Sequence, residues 1–382
     1  MRTTRDAPSA SPAYQLVGLA ALAFSLCGCG TISYVAQAAR GQYELYRRAR
    51  PLDEVRNNPC TPSDRKKLLD EIPHIREFAQ TQGLNVRNNY RQFVQLDRDH
   101  VVWFVNASAP LAFEPKTFWF PIIGSFPGLG WFDENDAKGF AETLRSDGWD
   151  VSLRGVSAFS TGGWFEDPLV SSMLQGGDSA LGRLVNVILH ESVHATVLLK
   201  NQQYFNESLA SFVADTMTPQ YLGARYGKHS VEYVAYEDNY IQRQRYGKQF
   251  IDTYDQLNEL YRSRHSAKVK LERKSQLLWE LSRELDLEHP ANNATLIGAR
   301  LYGIGTAEFG TLLDRCAGNW RRFLPTSASL GAEGFRTDQQ ENFGSIVTRL
   351  ADKECLPEPS PEVAVPSEKP SRRPGFVRRR KR

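Results

Sequence analysis

His190 and His194 sit four residues apart in the run Leu189-His190-Glu191-Ser192-Val193-His194, directly behind the mostly apolar Leu184-Val185-Asn186-Val187-Ile188-Leu189. Such a run forms a buried helix, and on a helix residues i and i+4 share a face. The chain must therefore fold so that two imidazoles point the same way out of an apolar helix. Two imidazoles at that spacing can take two corners of a tetrahedral zinc (Zn2+) site. Glu191, beside the first of them, is placed to take a proton from an attacking water. Phe205-Asn206-Glu207-Ser208 offers a third ligand, Glu207. Asn is a favoured N-cap, so a second helix is expected over Asn206–Thr216, opened by Asn206 and folding Glu207 back toward the His pair. Two His, one Glu and an open fourth position define a catalytic zinc site rather than a structural one. The plain alternative is a helix with two histidines in ordinary hydrogen bonds.

The rest of the body reads as α+β. Ser63–Thr81 carries Leu68, Leu69, Ile72, Ile75 and Phe78 at helical spacing. Tyr34–Arg50 is helix-compatible. Val101–Val105 and Phe118–Ile123 are β-branched and aromatic, Asp150–Val156 alternates, and all three predict strands. Gly124–Gly130 holds three Gly beside Gly128-adjacent Pro127 and is expected to be a loop. Asp133–Asp147 predicts a helix with an acidic start. From Ser179 to Lys200 the pattern is helical; Ser230–Leu287 predicts two long helices, and Asn292–Leu324 a further helical region broken near Gly303 and Gly305. Strands before residue 160 and helices after it imply segregated layers, not a doubly wound sheet.

The two ends differ from the body. Arg2 and Arg5 precede an apolar run from Leu16 to Leu26, which reads as an export signal too short to span a bilayer. From Leu356 onward Pro and Ser dominate, with eight Lys and Arg against three Glu. That tail is expected to be disordered, either merely solvated or adhering to anionic envelope polymers. The net charge of the whole is only +3, so there is no basic footprint for nucleic acid. Five Cys in 382 residues are too few for a disulfide scaffold. A single bridge among Cys60, Cys316 and Cys355 is possible, and spacing does not choose the pair. The organisation expected is a signal over 1–28, an anchor segment over 29–60, an α+β part over 61–200 ending in the His helix, a helical part over 201–355 and the tail over 356–382.

Leu26-Cys27-Gly28-Cys29 resembles the lipobox of bacterial lipoproteins. The resemblance implies diacylation at Cys29, cleavage before it, and, with Gly30 rather than Asp next, the outer membrane facing the periplasm. An ordinary signal peptide or an uncleaved anchor is the alternative. The body resembles the predicted aminopeptidases of Gram-negative bacteria, gluzincin-type zinc metallopeptidases that are often lipoproteins. The likeness is carried by Tyr34-Val35-Ala36-Gln37-Ala38-Ala39-Arg40-Gly41-Gln42, by Gly130-Trp131-Phe132-Asp133, by the segment from Ser157 to Pro168, by the two zinc motifs and by Asn292-Asn293-Ala294. It implies a zincin-like fold with a small N-terminal sheet and a helical C-terminal lobe. It also implies zinc on His190, His194 and Glu207, Glu191 as general base, and a peptide substrate. Many gluzincins place an Asp four residues after the Glu ligand; here that position is Ser211, with Asp215 a turn later.

Other residues are open to more than one reading. Ser160-Thr161-Gly162-Gly163-Trp164 is either an edge that pairs with a peptide or a tight turn. Trp164 and Phe165 face substrate or fill core. An oxyanion donor could be Tyr204, Tyr302 or His229. His74, His100, His265 and His289 have no partner pattern. Two competing functions stand beside the peptidase: an amidase acting on cell-wall peptides, and a non-enzymatic envelope lipoprotein, a scaffold or chaperone with a structural or vestigial metal site.

Overall fold

The computed structural model describes residues 29–120, 124–158 and 166–359. The export signal, the tail beyond Pro359 and the Ser160–Trp164 stretch with Phe165 lie outside the described residues. The fold is α+β, with strands confined to the first half.

Helix α1 (Cys29–Arg48) leads into β1 (Arg50–Pro51), α2 (Leu52–Arg56) and α3 (Ser63–Thr81). The predicted stripe on α3 is what holds it. Leu69, Ile72 and Ile75 are fully buried, and the helix runs through Pro73 despite the lost backbone donor. Three small sheets follow, where one was expected. In the first, β1 pairs antiparallel with β2 (Gln92–Val94), which pairs parallel with β8 (Leu169–Val170). In the second, β3 (Val102–Ser108) lies between β6 (Gly128–Trp131) and β7 (Asp150–Val156), all antiparallel. The third is a hairpin of β4 (Phe118–Phe120) and β5 (Gly124–Phe126).

The loop expected over Gly124–Gly130 is therefore wrong: β5 and most of β6 occupy it. At Gly128 glycine is needed for close approach to the neighbouring strand, not for a turn. A Cβ on Gly128 would lie 2.3 Å from the Phe104 ring on the neighbouring strand. The outer edge of β6 is closed by α1. The Gln37 side chain donates to the Gly130 carbonyl (3.2 Å) and accepts from the Phe132 N–H (3.1 Å). Gly41 makes that seat possible, since a Cβ there would meet the Phe132 ring at 2.1 Å. The open edge is thus covered, as sheet edges must be.

Helix α4 (Glu134–Ser146) begins where predicted, its Asp133 cap accepting from the Asn135 and Asp136 N–H groups. It buries Ala137, Ala141 and Leu144 against Val105, Leu129 and Val151 of the central sheet. After β8 comes α5 (Ala180–His194), then α6 (Gln203–Tyr226). The two predicted long helices are α7 (Val231–Arg262) and α8 (Ala267–Glu284), followed by α9 (Asn293–Arg300), α10 (Thr306–Arg315), α11 (Trp320–Ala328) and α12 (Gly344–Ala351). Cys316 is bridged to Cys355, which ties the end of α10 to the residues after α12; Cys60 is free and exposed. No helix among the described residues is long and apolar enough to cross a membrane.

Candidate active site

Helix α5 is apolar on the face that meets the core: Leu184, Val185, Ile188, Leu189 and Val193 are all fully buried. The opposite face presents His190 and His194 toward α6. The helical pattern predicted to Lys200 stops at His194, and the chain turns through residues 195–202. Thr196 helps to stop it, donating back to the Ser192 carbonyl and accepting from the Asn85 N–H (2.6 and 2.8 Å).

Asn206 is not the N-cap that its sequence position suggests. Helix α6 starts three residues earlier, with Gln202 at the cap position. Asn206 instead reaches across the turn. Its amide oxygen accepts from the Leu199 N–H and its amide nitrogen donates to the Leu199 carbonyl, both at 2.8 Å. The residue that looked like a helix start is the clasp between the two helices of the site. The preference of Asn for backbone partners is the same; the partner is a turn, not the helix end. Glu207 consequently lies one turn inside α6, facing α5.

The three donors converge. His190 Nε2 lies 3.2 Å from His194 Nε2 and 3.2 Å from a Glu207 oxygen, and His194 Nε2 lies 3.6 Å from the other oxygen. These residues form a group able to hold a metal ion. A tetrahedral ion with donors at about 2.0–2.1 Å has edges of roughly 3.3 Å; the contacts are near that length but engage both Glu207 oxygens, and one ligand atom of each residue lies within 4.8 Å of the others. The side chains are 14%, 10% and 12% exposed, respectively, for His190, His194 and Glu207, so solvent competes little. Gln203, one turn before Glu207, donates to its carboxylate at 2.6 Å and sets its rotation. The sequence did not single out Gln203; its i, i+4 spacing to Glu207 was the available signal. His194 Nδ1 is buried with no partner among the described residues.

Electrostatics follow from this packing. Burial alone would push the Glu207 carboxyl up, but the two imidazoles hold it well below the ordinary carboxylate range. Burial would push His194 down, but Glu207 and Glu191 raise it to about 9. Glu191 belongs to none of the donor contacts. Its charge acts on His194, Tyr90 and Tyr302, so it lies near all three.

Of the three oxyanion candidates, the structure brings one to the histidines. The Tyr302 ring centre lies 6.2 Å from that of His190. Its hydroxyl is held protonated, up to about 12, by desolvation and by the nearby Glu207 and Glu191 charges. Tyr302 follows α9, in the predicted break before α10. That turn is fixed to the site by Ser208, whose hydroxyl donates to the Leu301 carbonyl at 3.0 Å. Tyr204 is buried elsewhere, beside Glu341 and Arg300. His229 is exposed after the end of α6. Asp215 touches neither imidazole; it accepts from Asn186 (2.9 Å), Arg243 (3.2 Å) and Tyr236 (3.3 Å), and so binds α5, α6 and α7 together one turn below His190.

The chain is an α+β protein whose two site helices bring His190, His194 and Glu207 together as a group that could hold a metal ion. More specifically, a family model described as "Putative aminopeptidase" matches residues 33–341, and the chain belongs to that family. The family's description is that of a peptidase, a hydrolase of peptide bonds. No curated protein and no solved structure matches the chain.

Proposed function

We propose that this chain is a zinc-dependent peptidase of the bacterial cell envelope. The observation that carries the reading is the convergence of His190, His194 and Glu207, whose contacts of 3.2, 3.2 and 3.6 Å bring one ligand atom of each within 4.8 Å of the others. Zinc held there would polarise a scissile carbonyl and lower the pKa of water to about 7. Glu191 takes the proton from the attacking water and passes it to the leaving amine. Tyr302 offers a neutral hydroxyl to the carbonyl oxygen as charge develops on it. An intact base favours the peptidase over a vestigial metal protein, since a structural site has no use for Glu191.

The envelope location rests on the N-terminal sequence. A lipid on Cys29 would sit at the first residue of α1. The Cys316–Cys355 bridge suits an oxidising compartment. The basic tail would add contact with anionic envelope polymers.

Metal removal tests the function. The purified mature chain, residues 29–382, should cleave members of a mixed peptide library, stop after chelation and recover with one equivalent of zinc. Tight zinc binding with no cleavage of any peptide would leave the scaffold reading standing instead. Zinc affinity should also depend on pH with a definite sign. Below about 9, His194 of the metal-free chain holds a proton that ligation must displace. Affinity should therefore fall by roughly tenfold for each pH unit below that point. Titrations at pH 6.5 and 8.5 that gave equal affinities would contradict this.

A further inference from the structure

Among the described residues, Arg154 is the cation that meets the site's tyrosine. It lies on β7, opposite Phe104 of β3, and β7 is an edge strand of its sheet. Its guanidinium donates to the Tyr302 hydroxyl at 3.2 Å and lies 5.3 Å from the Phe104 ring centre and 6.0 Å from that of Tyr302. The two rings and the phenol hold it in place without neutralising it. Among the described residues it forms no ion pair. The residue is exposed.

The position is fixed from both sides. Asn292 donates to the Val151 carbonyl of β7 (2.9 Å), and the Asn293 N–H donates to the Asp150 carboxylate (3.0 Å). Lys274 of α8 pairs with the same Asp150 (2.5 Å). Helix α9 is thereby pinned to β7 at its start and delivers Tyr302 to Arg154 at its end. A guanidinium held beside two rings and a hydroxyl can receive a planar anion by two parallel N–H donors.

We propose that Arg154 makes this a site for peptides bearing a carboxylate close to the scissile bond. The carboxylate is either the free C-terminus of a short peptide or an Asp or Glu side chain. The inference rests on the peptidase reading for its substrate class.

The test uses the full mature chain and three labelled hexapeptides of one core sequence: one with a free C-terminal carboxylate, one amidated and neutral, and one amidated with a single Glu. Binding is read by fluorescence anisotropy on zinc-depleted protein, so that no turnover is needed. The wild type should bind at least one carboxylate peptide roughly tenfold or more tightly than the neutral one. Whichever of the two gains identifies the source of the carboxylate. Arg154→Gln should erase the difference and Arg154→Lys should restore part of it. Equal binding of all three peptides by the wild type, or a preference that survives Arg154→Gln, overturns the proposal. Hydrolysis of the same peptides by the zinc-loaded chain is scored separately. Cleavage without charge preference defeats only the role of Arg154, whereas charge preference without cleavage of any peptide defeats the peptidase reading.

Discussion

Replacing Glu191 by Gln should lower kcat by about 10²–10⁴-fold, the usual contribution of a positioned proton acceptor, while leaving one zinc per chain. The reason is a division of labour visible in the site. His190, His194 and Glu207 share the donor contacts, and Glu191 takes part in none of them. Glu191 follows His190 by one residue, so on a helix it points about 100° away from the metal-facing side. Its charge nonetheless reaches His194, Tyr90 and Tyr302. Gln preserves the shape and hydrogen-bonding length of the side chain and removes its capacity to accept a proton. Elemental analysis beside a peptide-cleavage assay checks both halves. Activity within tenfold of the wild type would rule out Glu191 as base; lost metal would mean that Glu191 helps to hold it.

Replacing His194 by Ala should empty the site of zinc. The wild type should carry one equivalent after dialysis and the variant close to none. Loss of an outer partner of a ligand costs roughly 10–100-fold in metal affinity, and loss of a ligand itself must exceed that. One of the three donor edges remains, and a buried carboxylate loses the cation that now holds it ionised. Added zinc should raise the melting temperature of the wild type, by about 2.7 kcal/mol of stability at a hundredfold excess over Kd, and leave the variant unmoved. Circular dichroism of the metal-free variant separates loss of ligand from loss of fold. Retention of stoichiometric zinc by a folded His194→Ala chain would place the metal elsewhere.

Much of the site was legible because helical periodicity is a local property. The i, i+4 spacing of His190 and His194 and the apolar run before them required no tertiary information. The stripe of Leu69, Ile72 and Ile75 on α3 and the Asp133 cap of α4 were equally local. The reading failed where a residue's partner is distant in sequence. Gly128 looks like a turn residue until Phe104 is placed beside it. Asn206 looks like a helix cap until Leu199 is folded against it. Tyr302 was one of three oxyanion candidates until packing put it beside His190.

The chain by itself therefore determined the donor types, their order and the helix that carries two of them, because residue identity and a 3.6-residue period suffice for that. The tertiary structure alone decided which tyrosine faces the histidines, that Gln203 orients Glu207, that Arg154 meets Tyr302, and that Cys316 pairs with Cys355 rather than Cys60. Each of these joins residues on different elements, and such contacts are set by how buried faces pack rather than by any spacing along the chain.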